Sequence, residues 1–412
     1  MTEPGPWQDA AAGLPHPEHD RAQSPLPARA YPRGPQLAAL DGGRGNRVLN
    51  LILVGLLALV AVGTLVYFAD SLGANVFLIC GALALIPLGI CLFTLLWIDR
   101  WEPEPKSALL FAFSWGAGMS VAASLVVGQL VRPLLLAGSA LSNPESVSAL
   151  LQAPLVEEIF KGLGVLLIFL LRRRTFDGPI NGVVYAGTVA AGFAFTENIL
   201  YFGSAMTAQQ DVGPGLIATF VIRGLMSPFA HVMFTATLGA ILGYAARHGG
   251  TALALCAWTA GLIPAMLLHA LWNSSSMISA NFLVVYGALQ LPIFVLYVLG
   301  VVLLRLSEAR LTRRRLSEYV PSGWFLPEEI TMIGTGAGRR RAVAWARTFG
   351  AAGTMKRFIN LATRLAFTRQ RILAGSRLSD SLQQESVLLE RVTAAREELL
   401  SRQAGTARPA HS

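Results

Sequence analysis

Charge is scarce in this chain: Asp, Glu, Lys and Arg make up 14% of its 412 residues, against roughly 25% in a soluble globular protein. With 53% hydrophobic residues and a mean hydropathy of +0.52, that shortage excludes an ordinary soluble enzyme. Cysteine is scarcer still. Cys80, Cys91 and Cys256 all lie in apolar runs, which excludes a disulfide framework or a CxxC metal site and marks them as small buried hydrophobes. Residues 1–45 lack the short apolar core of a cleavable signal. Rich in Pro, Gly, Ala and Arg, the stretch 1–47 reads as a disordered cytoplasmic arm. HExxH is absent, and so is a GxSxG-like setting for Ser227, the serine four residues before His231; the two commonest hydrolase signatures are thereby removed.

Long apolar runs are abundant. A bilayer core of about 30 Å needs about 20 apolar residues per helix, and eight such runs fill the chain at 48–68, 76–98, 107–137, 150–171, 180–202, 216–246, 251–272 and 281–304. The fold expected is an all-α polytopic helix bundle of about eight transmembrane helices. The third and sixth runs are too long for a straight crossing, so breaks are expected at Pro133 and Pro228.

Net charge is 0 over 1–47, −1 over 48–304 and +10 over 305–412. A nucleic-acid surface would carry basic charge on a folded domain with interleaved aromatics; here the charge directly follows an apolar block, so no nucleic-acid partner is expected and the lipid bilayer is. Loops 69–75, 138–149, 203–215 and 273–280 carry no Lys or Arg, whereas Arg44, Arg47, Arg100, Lys106, Arg172–Arg174, Arg247 and Arg305 flank the alternate ends. The positive-inside rule then places both termini of a multi-pass cell-membrane protein in the cytoplasm.

Ionisable groups interrupt the spans at Glu157, Glu158, Lys161, Glu197, Arg223, His231 and His269. Such groups are expensive in hydrocarbon and normally face a bundle interior and mark function. Counted from the outer ends of their helices, Glu157 is about 10 Å deep, Glu197 and His231 about 8 Å and His269 about 5 Å. Four helices thus bring them to one layer near the outer face. Two histidines and a glutamate are a normal Zn²⁺ ligand set that leaves a position for water, and a neighbouring carboxylate can serve as general base. Asn198 and Asn273 are candidate donors to a developing oxyanion.

The segments EEIFK at 157–161, FAFTEN at 193–198, HVMFT at 231–235 and HALWN at 269–273, with DRWEPEP at 99–105, resemble in order the motifs of the PrsW family of intramembrane proteases, distant relatives of the CAAX-prenyl endopeptidases. The resemblance covers roughly 48–304. It implies a protease that cuts membrane-anchored substrates, with anti-sigma factors the best-known class, on the extracytoplasmic side. It also implies that Glu157 and Glu158 activate water while Glu197, His231 and His269 bind metal or position the scissile bond. Neighbouring helical residues diverge by about 100°, so the two glutamates cannot share one task; Glu157 is favoured as base and Glu158 as orienting partner. The site set read here is Glu157, Glu158, Glu197, Asn198, His231, His269 and Asn273, with Glu197, His231 and His269 as ligands of Zn²⁺.

Each residue taken singly has a plainer explanation. Glu157 and Lys161 are spaced as an i, i+4 ion pair, His231 suits a helix-bridging hydrogen bond, and DRWEPEP suits a proline-stiffened turn in which Asp99 and Glu102 hold Arg100 or Lys106. The rival class is a proton- or ion-coupled transporter, which predicts an internal repeat with matching broken helices; the surroundings of Pro133 and Pro228 do not match. In the tail, 305–412, Phe358, Leu361, Ala362, Leu365 and Ile372 alternate with Lys356, Arg357, Arg364, Arg369 and Arg371 as in a basic helix lying on the inner leaflet. Leu378, Leu382, Leu389, Val392 and Leu399 have near-heptad spacing that suits self-association, with Glu385 and Arg396 spoiling two core positions.

Overall fold

A computed structural model describes residues 44–407, apart from 140, 142, 174, 177, 210–212, 279–281 and 376–377. The arm expected over 1–47 therefore lies almost wholly outside the described residues, as does Arg174. Every regular element among the described residues is helical, and the chain divides into a membrane unit, Gly42–Leu304, and a unit that includes Arg305–Ser412.

The membrane unit is a polytopic helix bundle, and each expected span coincides with a helix or a helical run. In order these are α1 (Arg44–Leu72), α2 (Ala74–Asp99), α3 (Lys106–Ser114) leading through a π-helical turn, Trp115–Ser120, into α4 (Val121–Gly138), and the single turn α5 (Pro144–Val147). A second π turn, Ser148–Gln152, opens α6 (Ala153–Leu171). Then come α7 (Pro179–Gln209), α8 (Pro214–Thr219) with the π segment Phe220–Met226, α9 (Ala230–His248), α10 (Thr251–Ile278), α11 (Phe282–Val285) with the π turn Tyr286–Gln290, and α12 (Leu291–Ser317). Seven helical runs among the described residues are long and apolar enough to cross a membrane. The eighth, α6, misses that description because Glu157, Glu158 and Lys161 interrupt its 19 residues.

Of the two expected breaks, one occurs. The helix stops at Ser227–Phe229 beside Pro228, and the buried Cys91 thiol donates to the Pro228 carbonyl at 3.0 Å. Pro133 sits inside an unbroken α4; membrane helices tolerate an internal proline where other groups can satisfy the carbonyl it frees. The irregularity of that long run lies earlier, at Trp115–Ser120, where Gly116 and Gly118 are buried. Cys80 and Cys91 are buried as expected, but Cys256 is exposed on α10; an apolar run in lipid has an outward face as well as an inward one.

Burial separates the centre of this bundle from its edge: 83% of the α7 span is buried inside the protein but only 11% of the run ending in α12. Lipid tails are as apolar as leucine, so close backbone approach rather than hydrophobicity holds such helices together. α7 meets α9 at Gly182 and Gly239, where a Cβ on either residue would stand 1.8 or 2.2 Å from the other's carbonyl oxygen. α6 is fixed by two indoles, Trp115 Nε1 donating to the Phe160 carbonyl at 2.9 Å and Trp258 Nε1 to the Gly162 carbonyl at 2.8 Å. The DRWEPEP turn is knit into the bundle. The Asp99 carboxylate accepts the Glu104 backbone N–H at 3.0 and 3.2 Å, and the buried Glu104 carboxylate accepts from Asn181 and Tyr185 of α7.

The second unit contains α13 (Pro327–Ile333), α14 (Gly336–Arg347), α15 (Ala352–Leu373) and α16 (Leu378–Ala407). Thr335 caps α14 by accepting from the Gly338 N–H at 3.1 Å, which accounts for the GTGAG sequence there. The expected leaflet helix is corrected: Phe358, Leu361, Ala362 and Leu365 of α15 are buried in one core with Leu389, Val392 and Leu399 of α16. An amphipathic period states that a face is covered, not by what. The near-heptad face is therefore taken up within the unit, and its polar members have partners: Tyr319 donates to Glu385, while Arg396 donates to Glu329 at 2.8 and 2.9 Å.

Candidate functional site

Four helices and one π segment converge on a buried polar cluster. α6 contributes Glu157, Glu158 and Lys161, all three within two turns of a helix whose register the two indoles fix. α7 contributes Glu197 and Asn198, the π segment Arg223, α9 His231 and Thr235, and α10 His269 and Asn273. The single layer expected from helix depths is thus brought together as side chains in contact.

Glu158 is the best satisfied member. Fully buried, it accepts from Lys161 Nζ at 2.5 Å, from Thr235 Oγ1 at 2.8 Å and faces His269 Nδ1 at 3.0 Å. Lys161, also fully buried, reaches His231 Nδ1 at 3.2 Å and lies 4.4 Å from the centre of the Phe193 ring. Its closer carboxylate is thus Glu158 at i, i−3, and the expected i, i+4 pair with Glu157 is a looser 3.8 Å. Glu197 Oε2 stands between Arg223 Nη2 at 2.5 Å and His231 Nε2 at 2.8 Å. Arg223 in turn donates through Nε to Asn198 Oδ1 at 3.2 Å and lies over the Tyr201 ring at 3.8 Å. Asn273 donates to the Ala149 carbonyl at 2.8 Å, tying α10 to the π turn before α6.

Glu157 differs from its neighbours. Its Oε2 is buried without a hydrogen-bond partner, the sole carboxylate oxygen among the described residues in that condition, and it lies 3.9 Å from His269 Nε2, too far for a hydrogen bond. The histidine rings are held edge to face, 5.1 Å apart at 90°, with Phe234 stacked on His269 at 5.0 Å. Glu157, His231 and His269 have ligand atoms within 4.8 Å of one another. That is wider than the roughly 3.3 Å between ligands of a tetrahedral zinc at 2.0–2.1 Å, but one orphaned oxygen and two imidazoles are a suitable donor set by type. The set expected from sequence had Glu197 in place of Glu157; Glu197 lies against His231 as well, with Arg223 on its other side.

Sequence reasoning left out Thr235, Trp115, Trp258 and Tyr201 as contributors. Only Thr235 had a signal, as the last residue of HVMFT, four after His231 on the same helical face.

Residues 104–302 match the family model described as PrsW family intramembrane metalloprotease. The chain is 30% identical over 158 residues to Protease PrsW of Geobacillus kaustophilus, covering 38% of this chain and 63% of that protein. It is 34% identical over 158 residues to Protease PrsW of Clostridioides difficile, covering 38% and 62%. The chain thus spans less than two thirds of the length of these curated relatives. No solved structure matches it.

Proposed function

We propose that the membrane unit, which matches the PrsW family model over residues 104–302, is an intramembrane protease of that kind hydrolysing membrane-anchored proteins, anti-sigma-factor-like substrates among them, near the extracytoplasmic side, with both its termini in the cytoplasm. The observation that carries this reading is the unpartnered, buried Glu157 Oε2 beside His269. A buried acceptor without a donor costs about 1–3 kcal/mol, more for a charged group; a water poised for attack is the partner that repays it.

In this mechanism Glu157 accepts a proton from the attacking water as its oxygen bonds to the scissile carbonyl carbon, and then returns that proton to the leaving amine as the C–N bond breaks. General base catalysis of this kind contributes about 10²–10⁴ in rate. Glu158, filled by Lys161, Thr235 and His269, orients rather than reacts. Arg223 fixes Glu197 and Asn198, leaving the Asn198 amide to donate to the oxyanion, and Glu197 orients His231. A divalent metal, Zn²⁺ by donor type, would be held by Glu157, His231 and His269 and would supply Lewis acidity. A carboxylate has two oxygens, so ligand and base duties can share Glu157.

The test compares new N-termini in membranes of cells expressing the wild type or Glu157→Gln at matched levels. Juxtamembrane fragments made only by the wild type are expected. No such fragments under several envelope stresses, together with Glu197-dependent proton or ion movement in liposomes, would replace the protease by a transporter.

A further inference from the structure

Beside the cluster lies a cavity of about 320 Å³ that Glu157 and Glu197 line at its inner end. Phe68, Val121, Leu125, Phe193 and Leu200 form apolar walls, and Ser124 and Gln152 are the polar groups between them. The Ser124 Oγ is buried with no hydrogen-bond partner among the described residues. Gln152 accepts from the Ser148 hydroxyl at 3.1 Å, which leaves its amide N–H groups for another acceptor. Gly128 makes room for that amide, because a Cβ there would stand 2.6 Å from Gln152 Nε2. On its exposed rim are Gln129 and Ser204.

The size of this space limits what enters it. At about 320 Å³ it has room for one large side chain together with the extended backbone that bears it. The extended backbone has N–H and C=O groups freed from helical partners, and each costs several kcal/mol if buried unsatisfied. Resting on the protease reading above, we propose that this cavity is the substrate subsite next to the scissile bond. It receives one large apolar side chain on an unwound segment, Ser124 and Gln152 hydrogen-bond that segment's backbone, and Leu125 sets the size of the side chain admitted.

The experiment uses the full-length protein in liposomes with single-span reporter proteins whose juxtamembrane residues are changed one at a time between Ala and Phe. At one position the wild type prefers Phe. There the Phe-to-Ala ratio of kcat/KM falls at least tenfold in Leu125→Trp and rises severalfold in Leu125→Ala, while Ser124→Ala and Gln152→Leu each raise KM about tenfold, the equivalent of one 1.4 kcal/mol hydrogen bond. General damage to the fold lowers cleavage of both reporters and leaves the ratio alone. A ratio unchanged in both Leu125 variants, with the wild type active, overturns the subsite but not the protease. A wild type that cuts no reporter, in membranes where its Glu157→Gln variant is equally silent, overturns both.

Discussion

Two glutamates with buried carboxylate oxygens, one in each unit, meet opposite fates. Glu329 in the C-terminal unit accepts from Arg396 through both oxygens at 2.8 and 2.9 Å and from the Leu326 N–H at 2.9 Å, so every demand of a buried carboxylate is met and the group is structural. Glu157 in the membrane unit keeps a buried oxygen with no donor at all. Glu158, its sequence neighbour, resembles Glu329 rather than Glu157. Burial of charge therefore does not by itself mark Glu157 out from Glu158 or Glu329; the unmet hydrogen bonding of its Oε2 does, and on that the proposed catalytic role rests.

Substitutions can break or sharpen this contrast. The largest effect is expected for Glu157→Gln, which should lower kcat/KM by about 10²–10⁴ yet shift Tm in detergent by no more than about 2 °C, because no hydrogen bond is lost. A collapse of Tm with activity would show Glu157 to be as structural as Glu329. Glu158→Ala should destabilise the membrane unit by about 3–5 kcal/mol, since it strips the fully buried Lys161 of its nearest counter-charge; chemical unfolding in mixed micelles reads this, and a fully stable variant would contradict it. Glu329→Ala should cost about 2 kcal/mol in the C-terminal unit, seen as faster hydrogen exchange over α13 and α16, with reporter cleavage unchanged. Reduced cleavage would mean the two units are energetically linked.

The smallest effect is a pH response. Burial alone would raise the Glu318 carboxyl, but hydrogen bonds from Arg369 and Arg315 outweigh it and hold the group below its ordinary value. A depressed folded pKa adds stability above the ordinary carboxylate range and loses it as pH falls through the folded pKa. For a partly exposed pair the amount is under about 1 kcal/mol. Exchange protection in α15 should therefore fall on acidification, and less so in Glu318→Gln.

The membrane unit was legible because hydrocarbon is an unforgiving solvent. Eight apolar runs announced eight helical runs, and Glu157, Glu197, His231 and His269 stood out as groups that lipid will not accept. What sequence could not resolve was rotation about each helix axis. Glu157 lies near His269 while Glu197 pairs with His231, and Lys161 sits closer to Glu158; these outcomes depend on about 100° per residue and on the indoles of Trp115 and Trp258 that set the register. Glu104 was passed over for a different reason: in a proline-rich turn a carboxylate looks solvated, and nothing local announces that Asn181 and Tyr185, some eighty residues on, will donate to it. The tail failed differently again, since the period of α15 identified its covered face and only α16 identified the cover.

The Gly182–Gly239 crossing bears on how the membrane unit tolerates its surroundings. His231 is eight residues from Gly239, about 12 Å along α9, so a tilt of about 5° about that crossing would carry its imidazole about 1 Å past Glu197, a displacement able to cost about a hundredfold in rate. Bilayers of different thickness tilt helices by more than that. With backbone pressed on backbone at the crossing, no side chain there can be compressed to allow the rocking, so under the proposed mechanism the spacing of His231 and Glu197 would resist changes in membrane thickness.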